Sequence, residues 1–153
     1  QERIYAIPFD DYKDEIKMLH QRRKVHRLSV GDPQFGAKMS EAAIEETAIR
    51  HRYTEILAMC VEANQTLDSV LDNLEKYIMS KYSEQLKYLS TKDERRSMVQ
   101  SIMNMFYKYL SQTDTMIQIL RLHIEDIDKT GYTVTNLVKA YSIIAQPDRN
   151  TQI

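Results

Sequence analysis

Residues 49–77 read IRHRYTEILAMCVEANQTLDSVLDNLEKY, and within them Ile49, Tyr53, Ile56, Cys60, Ala63, Leu67, Val70, Leu74 and Tyr77 recur at alternating steps of four and three. That is a heptad seam, the period that keeps one edge of an α-helix facing a partner helix. The stripe then moves to Ile78, Tyr82, Leu86 and Leu89, which predicts a bend or a change of partner after Tyr77. The seam lies inside a longer stretch, Ala37 to Thr130, that holds neither glycine nor proline. Gly31, Gly36, Gly131, Pro8, Pro33 and Pro147 all fall outside it. Glycine costs about 1 kcal/mol and proline about 3 kcal/mol in a helix interior, so their absence over this length predicts very long helices.

Working outward, the first long helix is expected over about 40–88, roughly 70 Å at 1.5 Å per residue. Ser40 is its expected N-cap, and Glu41, Glu45 and Glu46 suit the positive end of its dipole. Ser90 to Glu94 reads as the turn, with Thr91 and Glu94 spaced as a capping box. A second long helix is expected over about 92–130, stopped by Gly131 at C′. It carries two apolar seams: Val99, Ile102, Phe106, Tyr109, Thr113, Met116, Leu120, His123 and Ile127, and beside them Met103, Leu110, Ile117 and Ile124. Residues 1–12 read as irregular because of Pro8. A short basic helix is expected over 13–28, capped by Asp10 or Asp11 and striped by Ile16, Leu19 and Val25. Residues 31–36 read as a loop. Thr133 or Thr135 would cap a short last helix over 134–145, with Leu137, Val138, Tyr141 and Ile144 on it, ended by Pro147 before a polar tail, 147–153. The fold class is all-α: a single helical domain built on a long antiparallel hairpin with short flanking helices and coiled-coil-like seams.

The apolar face of the second long helix is too wide for one neighbouring helix to cover. Either the short helices fold back over it, or copies of the chain associate. The elongation of the hairpin favours a homo-oligomer, with Ile49, Tyr53, Ile56, Leu67, Val70, Leu74, Phe106, Ile117, Leu120 and Ile124 as interface residues.

Composition bounds the function classes. The chain has 153 residues, 42% hydrophobic and 28% charged, with a net charge of −1. That is a folded rather than a disordered balance, with no overall pull toward polyanions. One cysteine, Cys60, excludes an internal disulfide framework. No run reaches the eighteen or so apolar residues of a membrane span, so no membrane partner is expected. Gln1 to Tyr5 lack the apolar core of a signal peptide. A cytoplasmic location is expected, in the host cytoplasm if the source is viral.

No catalytic signature emerges, and the chain reads as a non-enzyme without cofactor or metal. A di-iron carboxylate bundle needs Glu-x-x-His pairs, and no glutamate here has a histidine three residues on. His20, His26, His51 and His123 have no cysteine pair to join them in a zinc site. His51 and Glu55, one turn apart, read as a solvated pair. His123, on an apolar seam, reads as a satisfied core or interface histidine. Cys60 sits on the seam of the first long helix, where burial raises a thiol's pKa, the opposite of what a nucleophile needs. There is no phosphate-binding glycine loop and no nucleophile elbow.

What remains is charge. From Lys17 to Arg27 the chain carries Lys17, Arg22, Arg23, Lys24 and Arg27 with His20 and His26, and no acid. On a continuous helix His20, Arg23, Lys24 and Arg27 would share one face, able to track a phosphate backbone. Lys76, Lys81, Lys87, Lys92, Arg95 and Arg96 gather near the hairpin turn, where Tyr77, Tyr82 and Tyr88 could stack on unpaired bases. Nucleic-acid contact, single-stranded or duplex DNA, is therefore expected through Lys17, Arg22, Arg23, Lys24, Arg27, Arg95 and Arg96. The alternative is a solvated face, or a basic run paired with acids in a structural adaptor that never touches nucleic acid.

From Asp114 to Ala145 the layout resembles the C-terminal part of phage recombination mediators of the UvsY type. The residues that carry it are Ile124-Glu125-Asp126-Ile127-Asp128, the break Lys129-Thr130-Gly131-Tyr132, then Val134 and a short amphipathic helix. The long capped hairpin is also similar in shape to the oligomerisation core of phage small terminase subunits. Both families form helical rings that act on DNA without catalysis. The resemblance therefore implies a self-associating protein that helps assemble a nucleic-acid-processing complex, for recombination or packaging, with protein partners. It assigns a binding role to no numbered position.

Overall fold

A computed structural model describes residues 7–144. Among them the elements are α1 (Phe9–Arg22), a 3₁₀ turn at Val25–Arg27, α2 (Phe35–Lys81), a 3₁₀ turn at Gln85–Tyr88, α3 (Lys92–Ile102) and α4 (Asn104–Ile144). The chain is all-α, and α2 packs along α4 as a long hairpin. Polar bridges give the direction. Arg50 pairs with Asp128, Asn64 with Thr113, and Glu75 with Arg96 and Tyr107. Partners descend on one helix as they ascend on the other, so the pair is antiparallel.

The turn is built as its sequence predicts. Thr91 Oγ1 accepts from the Glu94 N–H at 3.1 Å, and Glu94 Oε2 accepts from the Thr91 N–H at 3.0 Å, a complete capping box. Elsewhere the boundaries move. Helix α1 begins directly after Pro8 and ends at Arg22, not Leu28, so residues 9–12 are helical and Val25 lies in a 3₁₀ turn. Helix α2 starts at Phe35. Ser40 is therefore interior rather than N-cap, its hydroxyl donating to the Gly36 carbonyl at 3.2 Å.

The second rod departs twice from expectation. It is interrupted at Met103 (φ −89°, ψ 7°), with no glycine or proline to blame. Met103 is 2% exposed, packed in one cluster with Leu67, Leu71, Leu86 and Val99. Helix α4 then runs through Gly131 to Ile144 without a stop, so the separate short helix over 134–145 does not exist as such. Thr130, Thr133 and Thr135 each donate to the carbonyl four residues back, and the ladder carries on across the glycine. Residues 1–6, Pro147 and the expected tail lie outside the described residues.

Two apolar clusters form the core. One joins Ile16 and Leu19 of α1 to Ile49, Tyr53, Ile56 and Cys60 of α2 and to Met116, Ile117, Leu120 and Ile127 of α4. The other, nearer the turn, joins Leu67 and Leu71 to Leu86, Val99 and Met103. A polar layer separates them. Thr113, fully buried, donates to the Leu110 carbonyl at 2.6 Å and accepts from Asn64 Nδ2 at 2.7 Å. A polar contact between a fully buried Thr113 and a half-buried Asn64 favours this register, because slipping would break it against apolar neighbours.

The seam of α2 changes line earlier than expected. Val70 is 44% exposed and Tyr77 is 55% exposed, while Leu71 is buried.

Candidate functional site

The acid-free basic run is the strongest surface signal in the sequence, and the fold divides it. Arg23 occupies the C-cap of α1, where the chain turns inward, and its side chain is fully buried. Its Nε donates to the two carboxylate oxygens of Glu46 at 2.8 and 3.1 Å. Its Nη2 donates to Glu46 Oε2 at 2.8 Å and to Thr130 Oγ1 at 3.4 Å, and its Nη1 donates to Asp126. One guanidinium thus fastens the end of α1 to both rods of the hairpin. Burial pulls the Arg23 pKa down, and the hydrogen bonds to Glu46 and Asp126 outweigh it, so the net shift is upward. The same contact holds the Asp126 carboxyl below the usual carboxylate range.

Its neighbours are also engaged. Lys24 pairs with Glu41 and, at 3.7 Å, with Glu45; Arg22 Nη2 reaches Glu45 Oε1 at 3.4 Å. The Glu41, Glu45 and Glu46 group therefore neutralises the basic run rather than a helix dipole, since α2 begins a full turn before it. Because α1 ends at Arg22, His20, Arg23, Lys24 and Arg27 do not share a helical face. Lys17 and Arg27 are exposed and form no ion pair among the described residues. At the other end Arg96 Nε donates to Glu75 Oε1 at 2.7 Å, and Arg95 Nε donates to the Leu89 carbonyl at 3.1 Å. Tyr77, Tyr82 and Tyr88 stay exposed, with Lys81 Nζ 5.3 and 5.7 Å from the ring centres of the first two.

The fold makes a cluster that spacing along the chain could not reveal. His20 of α1 lies 5.2 Å from His123 of α4 and 6.4 Å from His26, ring centre to ring centre, and His123 lies 5.4 Å from Tyr53. Burial, with the nearby charges of His20 and Arg23, pushes the His123 pKa down against the pull of Asp126. Tyr53, fully buried, donates to the Ile16 carbonyl at 3.2 Å, and burial raises its pKa to about 12. Burial likewise pushes the Cys60 thiol up. His51 and Glu55 form an exposed pair at 3.2 Å. Among the described residues, no three His, Cys, Asp or Glu side chains are arranged to hold a metal ion.

The expected interface residues are largely spent within one chain. Ile49, Tyr53, Ile56, Leu67, Ile117 and Leu120 are buried in the chain's own core. Leu74, Phe106 and Ile124 are half-buried against the same clusters. The seams of α2 and α4 face each other, so only Val70 of the set offers itself to a partner. No described helix is long and apolar enough to cross a membrane. Comparison with protein-family models, with curated proteins and with solved structures finds no match.

Proposed function

We propose that this chain is a non-catalytic helical scaffold that works through protein contacts along its rods. The observation that supports this reading is the engagement of Arg22, Arg23 and Lys24 by Glu41, Glu45, Glu46 and Asp126. A phosphate backbone would have to compete with carboxylates already in place, one of them at a guanidinium that water does not reach. Contact surfaces remain elsewhere. Met98, Ile102 and Met105 are exposed at one-turn spacing across the α3–α4 junction, and Met59, Val70 and Tyr77 are exposed on one flank of α2. These rows suit a second copy of the chain or another helical protein, and homo-oligomerisation is part of the proposal.

The test has two parts. Light scattering at micromolar concentration should report more than one copy, and Ile102→Glu with Met105→Glu should return it to monomer. Fluorescence anisotropy with labelled single-stranded and duplex DNA at about 50 mM salt should show no saturable binding. Tight, salt-dependent binding, weakened by Lys17→Ala with Arg27→Ala, would overturn the scaffold reading in favour of the DNA-assembly role of the phage-type rings. One observation favours that second reading: the exposed tyrosines around Lys81 form a surface on which unpaired bases could stack.

A further inference from the structure

Helix α1 lies along α4, from the Phe9–Tyr109 ring contact at one end to the Arg23–Asp126 pair at the other. Between them the two helices leave a slot of about 270 Å³. That is the room of about nine waters at roughly 30 Å³ each, so the slot suits a ligand of about that many non-hydrogen atoms. Its apolar lining is Ile16 of α1 with Met116 and Ile119 of α4, continuous with the core. Its polar lining is Lys13, Lys17, His20 and His123: four bases and, among the described residues, no acid. Lys17 is exposed and has no ion-pair partner among the described residues, and Lys13 has only an exposed contact with Asp10 at 3.5 Å.

The histidine rings of the slot stand 5.2 Å apart between centres, and His26 lies 6.4 Å from His20 on its other side. Two imidazoles that close repel once both carry a proton, and an anion beside them relieves the repulsion. The remaining charged groups around the pair are engaged with one another. Arg23 is bonded to Glu46 of α2 and to Asp126 of α4, and Tyr53 gives its hydroxyl proton to the Ile16 carbonyl. Burial, and then the charge of His20, push the His123 pKa down against the pull of Asp126. A cation in the slot would meet four bases and no carboxylate. A neutral molecule would gain the apolar floor and nothing from the charged rim. An anion with an apolar part gains both. We infer that the slot binds a small anion carrying an apolar tail, with the tail on Ile119 and the core beneath it and the charge toward Lys17, His20 and His123.

Hexanoate, hexan-1-ol and hexylamine share one tail, and acetate keeps the charge without it. Isothermal titration of the full chain at pH 7 and about 50 mM salt should give one saturable site for hexanoate, at least ten-fold tighter than for the alcohol, with the amine and acetate weakest. In proton NMR spectra the imidazole signals of His20 and His123 should move along the same isotherm, while those of His51, exposed on α2, stay in place. Lys17→Gln with His20→Gln, both at exposed positions, should weaken hexanoate at least ten-fold and leave the alcohol within two-fold, the far-UV helical signal holding. No saturable binding, an amine that matches hexanoate, His20 and His123 signals that do not move, or full hexanoate affinity in the double variant would overturn the inference. Should the double variant fail to fold, the ranking of the probes and the histidine signals of the parent chain decide it.

Discussion

Arg23→Met removes the guanidinium that ties α1 to the hairpin while keeping a long side chain in its place. Glu46, 9% exposed, would then hold a carboxylate with no partner and little water, whereas Asp126, half exposed, would return to solvent. Breaking a buried ion pair from one side costs about 3–5 kcal/mol. For a chain of this length each kcal/mol moves Tm by about 2–4 °C, so the midpoint should fall by roughly 6–20 °C. Arg23→Met combined with Glu46→Met removes both charges, and apolar replacement of a buried pair is often neutral. The double variant should therefore recover most of the loss. Thermal unfolding followed by far-UV circular dichroism at pH 7 measures all three forms, and the double-mutant cycle isolates the pair. A single variant within 3 °C of the parent would refute the reasoning. So would a double variant as unstable as the sum of its parts.

Stability should fall with pH below about 6.5, because His123 has a folded-state pKa below its unfolded value. The charged form is the one the fold disfavours, so stability is full above that pH and lost as protons bind. His123→Phe should flatten the dependence of Tm between pH 7.5 and 5.5. Thr91→Ala, which deletes one half of the capping box, should cost about 1 kcal/mol by urea unfolding. Glu94, held below its ordinary pKa by the Thr91 N–H and Ser90 hydroxyl, should lose its half of the box only as pH falls below about 4. Gly131→Ala should raise stability by about 0.5–1 kcal/mol, since its Cβ meets nothing and the helix gains a better former; a lower Tm would show that the glycine is required by the backbone.

The hairpin and its turn were legible because they rest on local chemistry. A stretch without helix breakers and a Thr91–Glu94 box need no knowledge of the rest of the chain. The end of α4 was not legible, because Gly131 stops a helix only when a stop is cheaper than going on. Here the Phe35–Tyr141 ring contact, 6.1 Å between centres, favours continuing, while the hydroxyls of Thr130, Thr133 and Thr135 are absorbed by back-bonding within the helix. The pairing of the basic run was not legible for a related reason. Its partners lie 17 to 103 positions away, and a charge run read in isolation shows its own sign and never the acids that the fold brings to it. One signal was present in the sequence: Glu41, Glu45 and Glu46 form an acidic group about as compact as the basic one.

The misplaced seam of α2 has a purely geometric origin, and it bears on what the outer surface can do. A heptad drifts about 20° on a straight α-helix. Counted at about 100° per residue from Ile49, Leu67 returns to the starting direction, Leu71 lies about 40° to one side, and Val70 lies about 60° to the other. Tyr77 is farther round still, at about 80°. The buried set therefore follows an eleven-residue repeat: Ile49, Cys60 and Leu71 on one line, Ile56 and Leu67 on another. Such a repeat belongs to helices that pack straight or with a slight right-handed coil, not to a left-handed coiled coil. The apparent heptad arises because Val70 and Tyr77 belong to a second row, with Met59, on the flank beside the core. A sequence that serves two neighbouring rows reads as one regular stripe. If the chain self-associates as proposed, the row that the hairpin leaves uncovered is where the second copy would sit, and Val70→Glu should reduce the oligomeric mass without lowering Tm by more than about 1–2 °C, as expected of an exposed site.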